Sequence, residues 1–314
     1  MGVHKGTTLF SQDSIVDTNL EGLYKMIVAN IPGADPSYRP VIAIDASVWI
    51  IAALMNPQLD SYVSSQFHAE PKVPVTAVSN YFTKRCKQLQ RNKFIPVVVF
   101  DGQRNPLKDE ESSARTHDDD EWINLYSELY DMYMFHPDDY SLDDVLVLRK
   151  KTIYPRHDVT REVIRGLTEM GVCVVGSAYE SDHQIRAMYT QGIIDAAIST
   201  DTDFIGLGIP FVVKTYSESS GKIKVMVLQK LLTEVLPSKL KQRGNDNIPA
   251  IDVNDLRLLC NMLGTDYLPA GLLDSGVVDS LKRFLKYLEC NNQIEKEAYV
   301  LQYESVNLRM VETI

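Results

Sequence analysis

Two short apolar runs that each end in an aspartate constrain this chain most. Val41-Ile42-Ala43-Ile44 leads into Asp45, and Phe94-Ile95-Pro96-Val97-Val98-Val99-Phe100 leads into Asp101. Neither run alternates with polar residues, so both suit buried strands of a parallel sheet better than strands with one wet face. Between them Val78, Phe82, Arg85, Cys86 and Leu89 recur at helical spacing, with Lys84, Lys87 and Arg91 on other faces. Strand, helix and strand in that order predict an α/β fold, a mostly parallel central sheet flanked by helices. Ligands of such sheets lie beyond the carboxyl ends of the strands, where both aspartates fall.

The stretch from Val172 to Gly208 adds two acid-x-acid pairs. The apolar Val172-Cys173-Val174-Val175 is followed by Glu180-Ser181-Asp182, and Ile198 by Ser199-Thr200-Asp201-Thr202-Asp203. Residues i and i+2 of an extended segment point the same way, so both acids of a pair reach one point. Carboxylates held that close repel and would protonate unless a cation intervened, and all-oxygen donors suit Mg²⁺ or Mn²⁺. Taken singly, the first pair also suits the opening of a helix and the second a polar turn. Asp266 follows a helix over 255–263 that Gly264 stops, and it brings the element-end acids to seven: Asp45, Asp101, Glu180, Asp182, Asp201, Asp203 and Asp266.

The remaining sequence organises around these points. Residues 1–20 show no period and read as an N-terminal extension; Glu21 to Val28 suits a short amphipathic helix ended near Pro32. From Gln103 to Arg156 the strand pattern stops. Asp109 to Asp144 holds 13 acids and one basic residue, Arg115, interleaved with Trp122, Leu125, Tyr126, Leu129, Tyr130, Tyr133 and Met134, which predicts a helical insertion with mobile ends. Asp158 to Gly171 reads as a helix, Phe211–Lys214 and Ile223–Val227 as a hairpin, Val227–Leu236 as a helix, and Pro237 to Ile248 as a polar, basic loop. The chain from Ser280 onward is helical. The expected division is an extension (1–20), a domain over 21–288 split into 21–102, 103–156 and 157–288, and a C-terminal helical segment (289–314).

Four well-separated cysteines, with no C-x-x-C pair, read as buried reduced thiols. No window approaches the roughly 18 apolar residues of a membrane span, and no secretory signal pattern opens the chain, so an intracellular, soluble protein is expected. The net charge of −10 argues mildly against a nucleic-acid partner.

Motif by motif, the chain resembles the flap endonuclease/XPG family of structure-specific nucleases, a PIN-like fold. The matches are Ile44-Asp45-Ala46-Ser47, Val99-Phe100-Asp101-Gly102, Glu180-Ser181-Asp182 where the family has E-A-E, Ser199-Thr200-Asp201-Thr202-Asp203, and Leu263-Gly264-Thr265-Asp266-Tyr267 where it has L-G-S-D-Y. The resemblance spans about Glu21 to Leu288. It implies two-metal hydrolysis of phosphodiesters in flapped or branched DNA, with Mg²⁺ as cofactor and Mn²⁺ as substitute, and the seven acids as metal ligands. It implies that 103–156 is a helical arch whose base carries Lys108 and Arg115, positioned to offset charge on the phosphate. Nuclear localisation is expected ahead of cytoplasmic, and a protein partner at the acidic arch or a further C-terminal segment.

Three departures accompany the match. Gly22-Leu23 lies behind an extension, the arch is strongly acidic, and Leu268 to Val278 lacks the G-I-G-P-K-like turn and its lysine. The first two readings to weigh beside a DNA nuclease are therefore an RNA-associated scaffold with weak or no cleavage and a PIN-like ribonuclease.

Overall fold

The structure, a computed structural model, describes residues 13–35, 37–55, 75–103, 121, 124–151, 157–217, 221–242, 247–264, 277–290 and 292–301. In chain order these form β1 (Ile15–Asn19), α1 (Leu20–Asn30), β2 (Val41–Asp45), α2 (Ala46–Leu54), α3 (Val75–Arg91), β3 (Ile95–Phe100), α4 (124–135), α5 (Leu142–Lys151), α6 (His157–Glu169), β4 (Cys173–Gly176) and α7 (Ser181–Thr190). After these come β5 (Ala196–Ile198), α8 (Phe204–Leu207), β6 (Phe211–Tyr216), β7 (Lys222–Val227) and α9. Helix α9 runs from Leu228–Lys230 through a π turn, Leu231–Val235, into Leu236–Lys241, and α10 (Val253–Leu263), α11 (Val277–Leu288) and α12 (Gln293–Leu301) complete the chain.

The chain divides into two interleaved compact units, one of Met1–Asp45, Leu89–Pro96 and Ser181–Ile314, the other of Ala46–Gln88 and Val97–Glu180. In the first, the strands run β1-β7-β6-β5-β2. β2 pairs with β5 and β5 with β6 in parallel, as the continuous apolar runs predict, whereas β6-β7 and β7-β1 are antiparallel. The strands bury Ile42, Ala43, Ile44, Ala196, Ala197, Val212, Val213 and Val225, and helices add Leu23, Ile27, Ile185, Leu256, Leu259 and Phe284. In the second unit β3 and β4 pair in parallel, Val97 opposite Cys173 and Phe100 opposite Gly176. Its core gathers Trp49, Phe82, Cys86, Val98, Val99, Val163 and Leu167, and the Arg85 guanidinium lies 4.1 Å from the Tyr81 ring centroid. The period of α3 was thus legible: Val78, Phe82, Cys86 and Leu89 are all buried, while Arg85 covers aromatic rings from the flank.

Several expectations are corrected. Ile15–Asn19, placed in an extension, is a strand registered antiparallel to β7, with Ile15 opposite Met226 and Val16 opposite Val225. Asn19 then caps α1, its side chain accepting from Gly22 N at 2.8 Å. Pro237 does not open a loop: it lies within α9 directly after the π turn, and Leu236 and Leu240 are buried one turn apart. Cys86 and Cys260 are buried, but Cys173 is exposed and Cys290 half-buried. Within the insertion α4 and α5 are helical as expected; residues 104–120, 122–123 and 152–156 lie outside the described residues. Among the described residues no helix is long and apolar enough to cross a membrane.

One acid that sequence reasoning passed over secures the start of β2. Asp195 accepts from Val41 N at 2.8 Å and from Tyr38 Oη at 2.8 and 2.9 Å on its two oxygens, while its own N–H donates to Val41 O. Burial and the adjacent carboxylate push the Tyr38 phenol from its ordinary 10.0 up to about 12. The folded state therefore holds this proton more tightly than the unfolded one, so the pair's stabilisation is complete below pH 10 and lost as pH rises through about 12. Asp195→Ala should lower the unfolding free energy by roughly 2–3 kcal/mol, the scale of hydrogen bonds to a charged group, in urea titrations near neutral pH. Tyr38→Phe should cost less and flatten the alkaline limb of the stability curve; unchanged stability in both variants would show the cluster to be passive.

Candidate metal centre

Asp45 closes β2 and is only 6% exposed, a burial that an ionised carboxylate tolerates only with donors around it. Ser181 Oγ donates to its Oδ1 at 3.2 Å and Ser199 Oγ to its Oδ2 at 3.1 Å. Both serines reach it through the fold: Ser181 opens α7, and Ser199 follows β5, whose register sets Ile198 opposite Ile44.

The loop after β5 then folds on its own oxygens. Asp201 N donates to Ser199 Oγ at 3.1 Å, and Asp203 N donates to Asp201 Oδ1 at 3.0 Å. Lys214, the one charged residue of the apolar run Phe211-Val212-Val213-Lys214, extends from β6 and its Nζ donates to the Asp201 carbonyl. Burial pushes its ammonium down to about 8, although Asp201, Asp203 and Asp45 all draw it upward. The lysine's ammonium thus interacts electrostatically with all three carboxylates. Behind this loop Gly208 has φ +76°, and a Cβ there would meet Val253 Cγ1 at 2.5 Å, so only glycine ends α8 against α10.

At the start of α7, Asp182 Oδ1 accepts from His183 N at 2.6 Å. Glu180, Asp182 and His183 each offer one ligand atom, all within 4.8 Å of one another and all half-buried. Two carboxylates and an imidazole within four consecutive residues suit a divalent cation, with the oxygens matching a hard ion and the nitrogen a borderline one.

In the second unit Asp101 closes β3 and accepts a hydrogen bond from Ser47 Oγ on α2. Its backbone exit is fastened to the loop after β4: Gly102 N donates to Tyr179 O at 2.5 Å, Gln103 N to Ala178 O at 3.0 Å, and Ser177 N to Phe100 O at 2.9 Å. A Cβ on Gly102 would sit 2.0 Å from Ser177 O, so the glycine after Asp101 is a close-approach requirement. The same lacing fixes the loop that delivers Glu180.

Of the seven acids read from the sequence, Asp45, Asp182, Asp201 and Asp203 belong to the first unit. Ser181, Ser199 and Lys214 tie Asp45, Asp201 and Asp203 into one network there. Asp101 and Glu180 belong to the second unit, and Asp266, Lys108 and Arg115 lie outside the described residues. The sequence reading quoted the serines only as motif neighbours and assigned no role to Lys214 or His183. A lone lysine in an otherwise apolar run was the available signal for Lys214.

An α/β fold with acids closing its parallel strands defines the class of protein in which cations gather at strand ends. The XPG N-terminal domain matches residues 36–121 and the XPG I-region residues 171–266, together more than half of the chain. The chain belongs to the flap endonuclease/XPG family. Similar proteins include flap endonuclease 1 of Methanocaldococcus jannaschii, 24% identical over 251 residues (76% of this chain, 71% of the relative), and that of Brugia malayi, 25% identical over 226 residues (72% and 54%). The chain thus spans between about half and seven tenths of the length of these curated relatives. Among solved structures, the catalytic core of Rad2 in complex with DNA substrate aligns with a TM-score of 0.57 at 18% identity, covering 99% of this chain and 84% of that one. Human GEN1 in complex with Holliday junction DNA aligns with a TM-score of 0.54 at 15% identity, covering 96% and 61%. These structural likenesses bear on the fold.

Asp201→Asn keeps the oxygen that accepts from Asp203 N and removes one charge from a crowded set. Its melting temperature without metal should equal or exceed that of wild type, while the shift produced by Mn²⁺ should shrink. Lys214→Met should act with the opposite sign, lowering the metal-free melting temperature and enlarging the Mn²⁺ shift. Scanning calorimetry with and without Mn²⁺ checks both; an Asp201→Asn protein that melts well below wild type would make that carboxylate structural.

Proposed function

We propose that the chain is a metal-dependent nuclease hydrolysing phosphodiester bonds in flapped or branched DNA. The observation that carries this reading is the placement of acids within the family regions. Asp45 and Asp101 fall in the XPG N-terminal match, and Glu180, Asp182, Asp201, Asp203 and Asp266 in the I-region match. The relatives named flap endonuclease 1, and the neighbours solved with DNA substrate or a Holliday junction, support a branched DNA substrate.

Two divalent ions, Mg²⁺ with Mn²⁺ as substitute, would supply water activation and charge stabilisation at the scissile phosphate. The chain's residues do the rest. Ser181 and Ser199 orient the buried Asp45 carboxyl by hydrogen bonds to its two oxygens. Asp201 and Asp203 are held by the Ser199 loop as ligands, and Glu180 and Asp182 face one point from the entry to α7. By the family resemblance Lys108 and Arg115, which lie outside the described residues, would offset the charge that grows on the phosphate in the transition state. The expected localisation is nuclear.

A second reading, a nuclease-like scaffold that binds RNA and cleaves weakly or not at all, draws on the acidic 109–144 segment, which repels phosphates. Incubation with flap, nicked, hairpin and single-stranded substrates in Mg²⁺ and in EDTA separates the two. The nuclease reading expects cleavage of the flap in Mg²⁺ alone; binding without cleavage of any substrate would overturn it. Under single turnover with saturating enzyme, Lys108→Ala and Arg115→Ala should each slow cleavage by about 100-fold. Rates within about twofold of wild type would remove both residues from the reaction.

A further inference from the structure

Helix α4 presents a stripe that the cleavage reading leaves unused. Leu125, Glu128, Met132 and Phe135 follow one another at spacings of three and four, so their side chains line one face of the helix. On that face Leu125 is 39% exposed, Met132 45% and Phe135 79%. Glu128 and Asp131 on the helix, and Asp138 and Asp139 just beyond it, are exposed as well. Between residues 124 and 144 the chain has six acids and neither Lys nor Arg. Water-exposed Phe and Met rimmed by carboxylates mark an interaction surface rather than ordinary surface scatter.

The charge selects the occupant. A nucleic-acid strand or an anionic lipid surface would set phosphates against these carboxylates, and no Lys or Arg between residues 124 and 144 offsets them. A second copy docking face to face would oppose the same acids to each other. We infer that this face of α4 docks a basic amphipathic helix of a partner protein, whose apolar side chains cover Leu125, Met132 and Phe135 and whose Lys or Arg residues meet Glu128 and Asp131. Alternating apolar and acidic positions on one helical stripe match a partner that alternates apolar and basic positions at the same spacing. The docked segment would lie on the helical insertion, so the insertion serves recruitment independently of whether the chain cleaves DNA.

The test uses the full chain and a labelled synthetic helix of leucine and lysine in amphipathic order, followed by fluorescence anisotropy at physiological salt. A peptide of the same composition in scrambled order is the control for bulk charge. The amphipathic peptide should bind and the scrambled one should bind at least about tenfold more weakly. The doubly substituted chains Met132→Ser/Phe135→Ser and Glu128→Lys/Asp131→Lys should each lose about tenfold in affinity, with circular dichroism unchanged because these side chains are exposed. Glu234→Lys, a charge reversal elsewhere on the surface, should bind like wild type. Equal binding of both peptides, or affinity that the α4 substitutions leave unmoved, would overturn the inference. So would concentration-dependent dimers in sedimentation that Phe135→Ser abolishes, which would assign the face to a second copy. An oligonucleotide that displaces the peptide and is itself lost on Met132→Ser/Phe135→Ser would assign it to nucleic acid and overturn the inference equally.

Discussion

A carboxyl group almost wholly removed from water, whose oxygens need hydrogen-bond donors, is the constraint on which the rest depends. Asp45 meets it with two serine hydroxyls brought from distant points of the chain, and each of them needs a secondary-structure element in place to arrive. Parallel pairing of β2 with β5 sets one serine, and the start of α7 sets the other. The rest of the first unit's acidic loop follows, since Ser199, once committed to Asp45, also accepts from Asp201 N and thereby turns the acids that come after it. Hydrogen bonds from Ser181 and Ser199 supply donors to the buried Asp45 carboxyl, which explains why small hydroxyl residues stand beside the acids.

Local patterns carried the elements and left their long-range fastenings hidden. Continuous apolar runs announced β2 and β3, and the 3.6-residue period announced α3 and α6, because burial leaves its mark on neighbouring positions. The acids closing β2 and β3 were legible for the same reason. What escaped was the edge strand β1, whose five residues are too short and too polar to stand out from an extension. The α-helical end of α9 escaped too, because Pro237 suggests a loop unless the π turn before it is known. Lys214, Asp195 and the serine donors escaped because their meaning lies in partners far away in sequence, and no periodicity encodes a partner.

Electrostatically the chain keeps opposite habits in two places. Around Asp45, Asp201 and Asp203 it places a lysine and several donors, so that negative charge is concentrated and then partly balanced. Along α4 it concentrates negative charge in a segment, 124–144, without Lys or Arg and sets apolar side chains into it. The first arrangement suits small cations held at short range; the second suits a large counterpart of opposite charge. A single figure for net charge hides both, which is why −10 is a poor guide to what this chain binds.

The interleaving of the two units carries a consequence for synthesis. The hydroxyl groups that receive Asp45 lie 136 and 154 residues further along the chain. While the ribosome is still making the second unit, Asp45 has emerged with neither donor yet available. Closing so large a loop is slow, and the strand that ends in Asp45 waits unpaired on its β5 side until residue 198 has been made. A nascent chain released before residue 199 would therefore present an apolar strand without its β5 neighbour and an acid without its serine donors, a species prone to association.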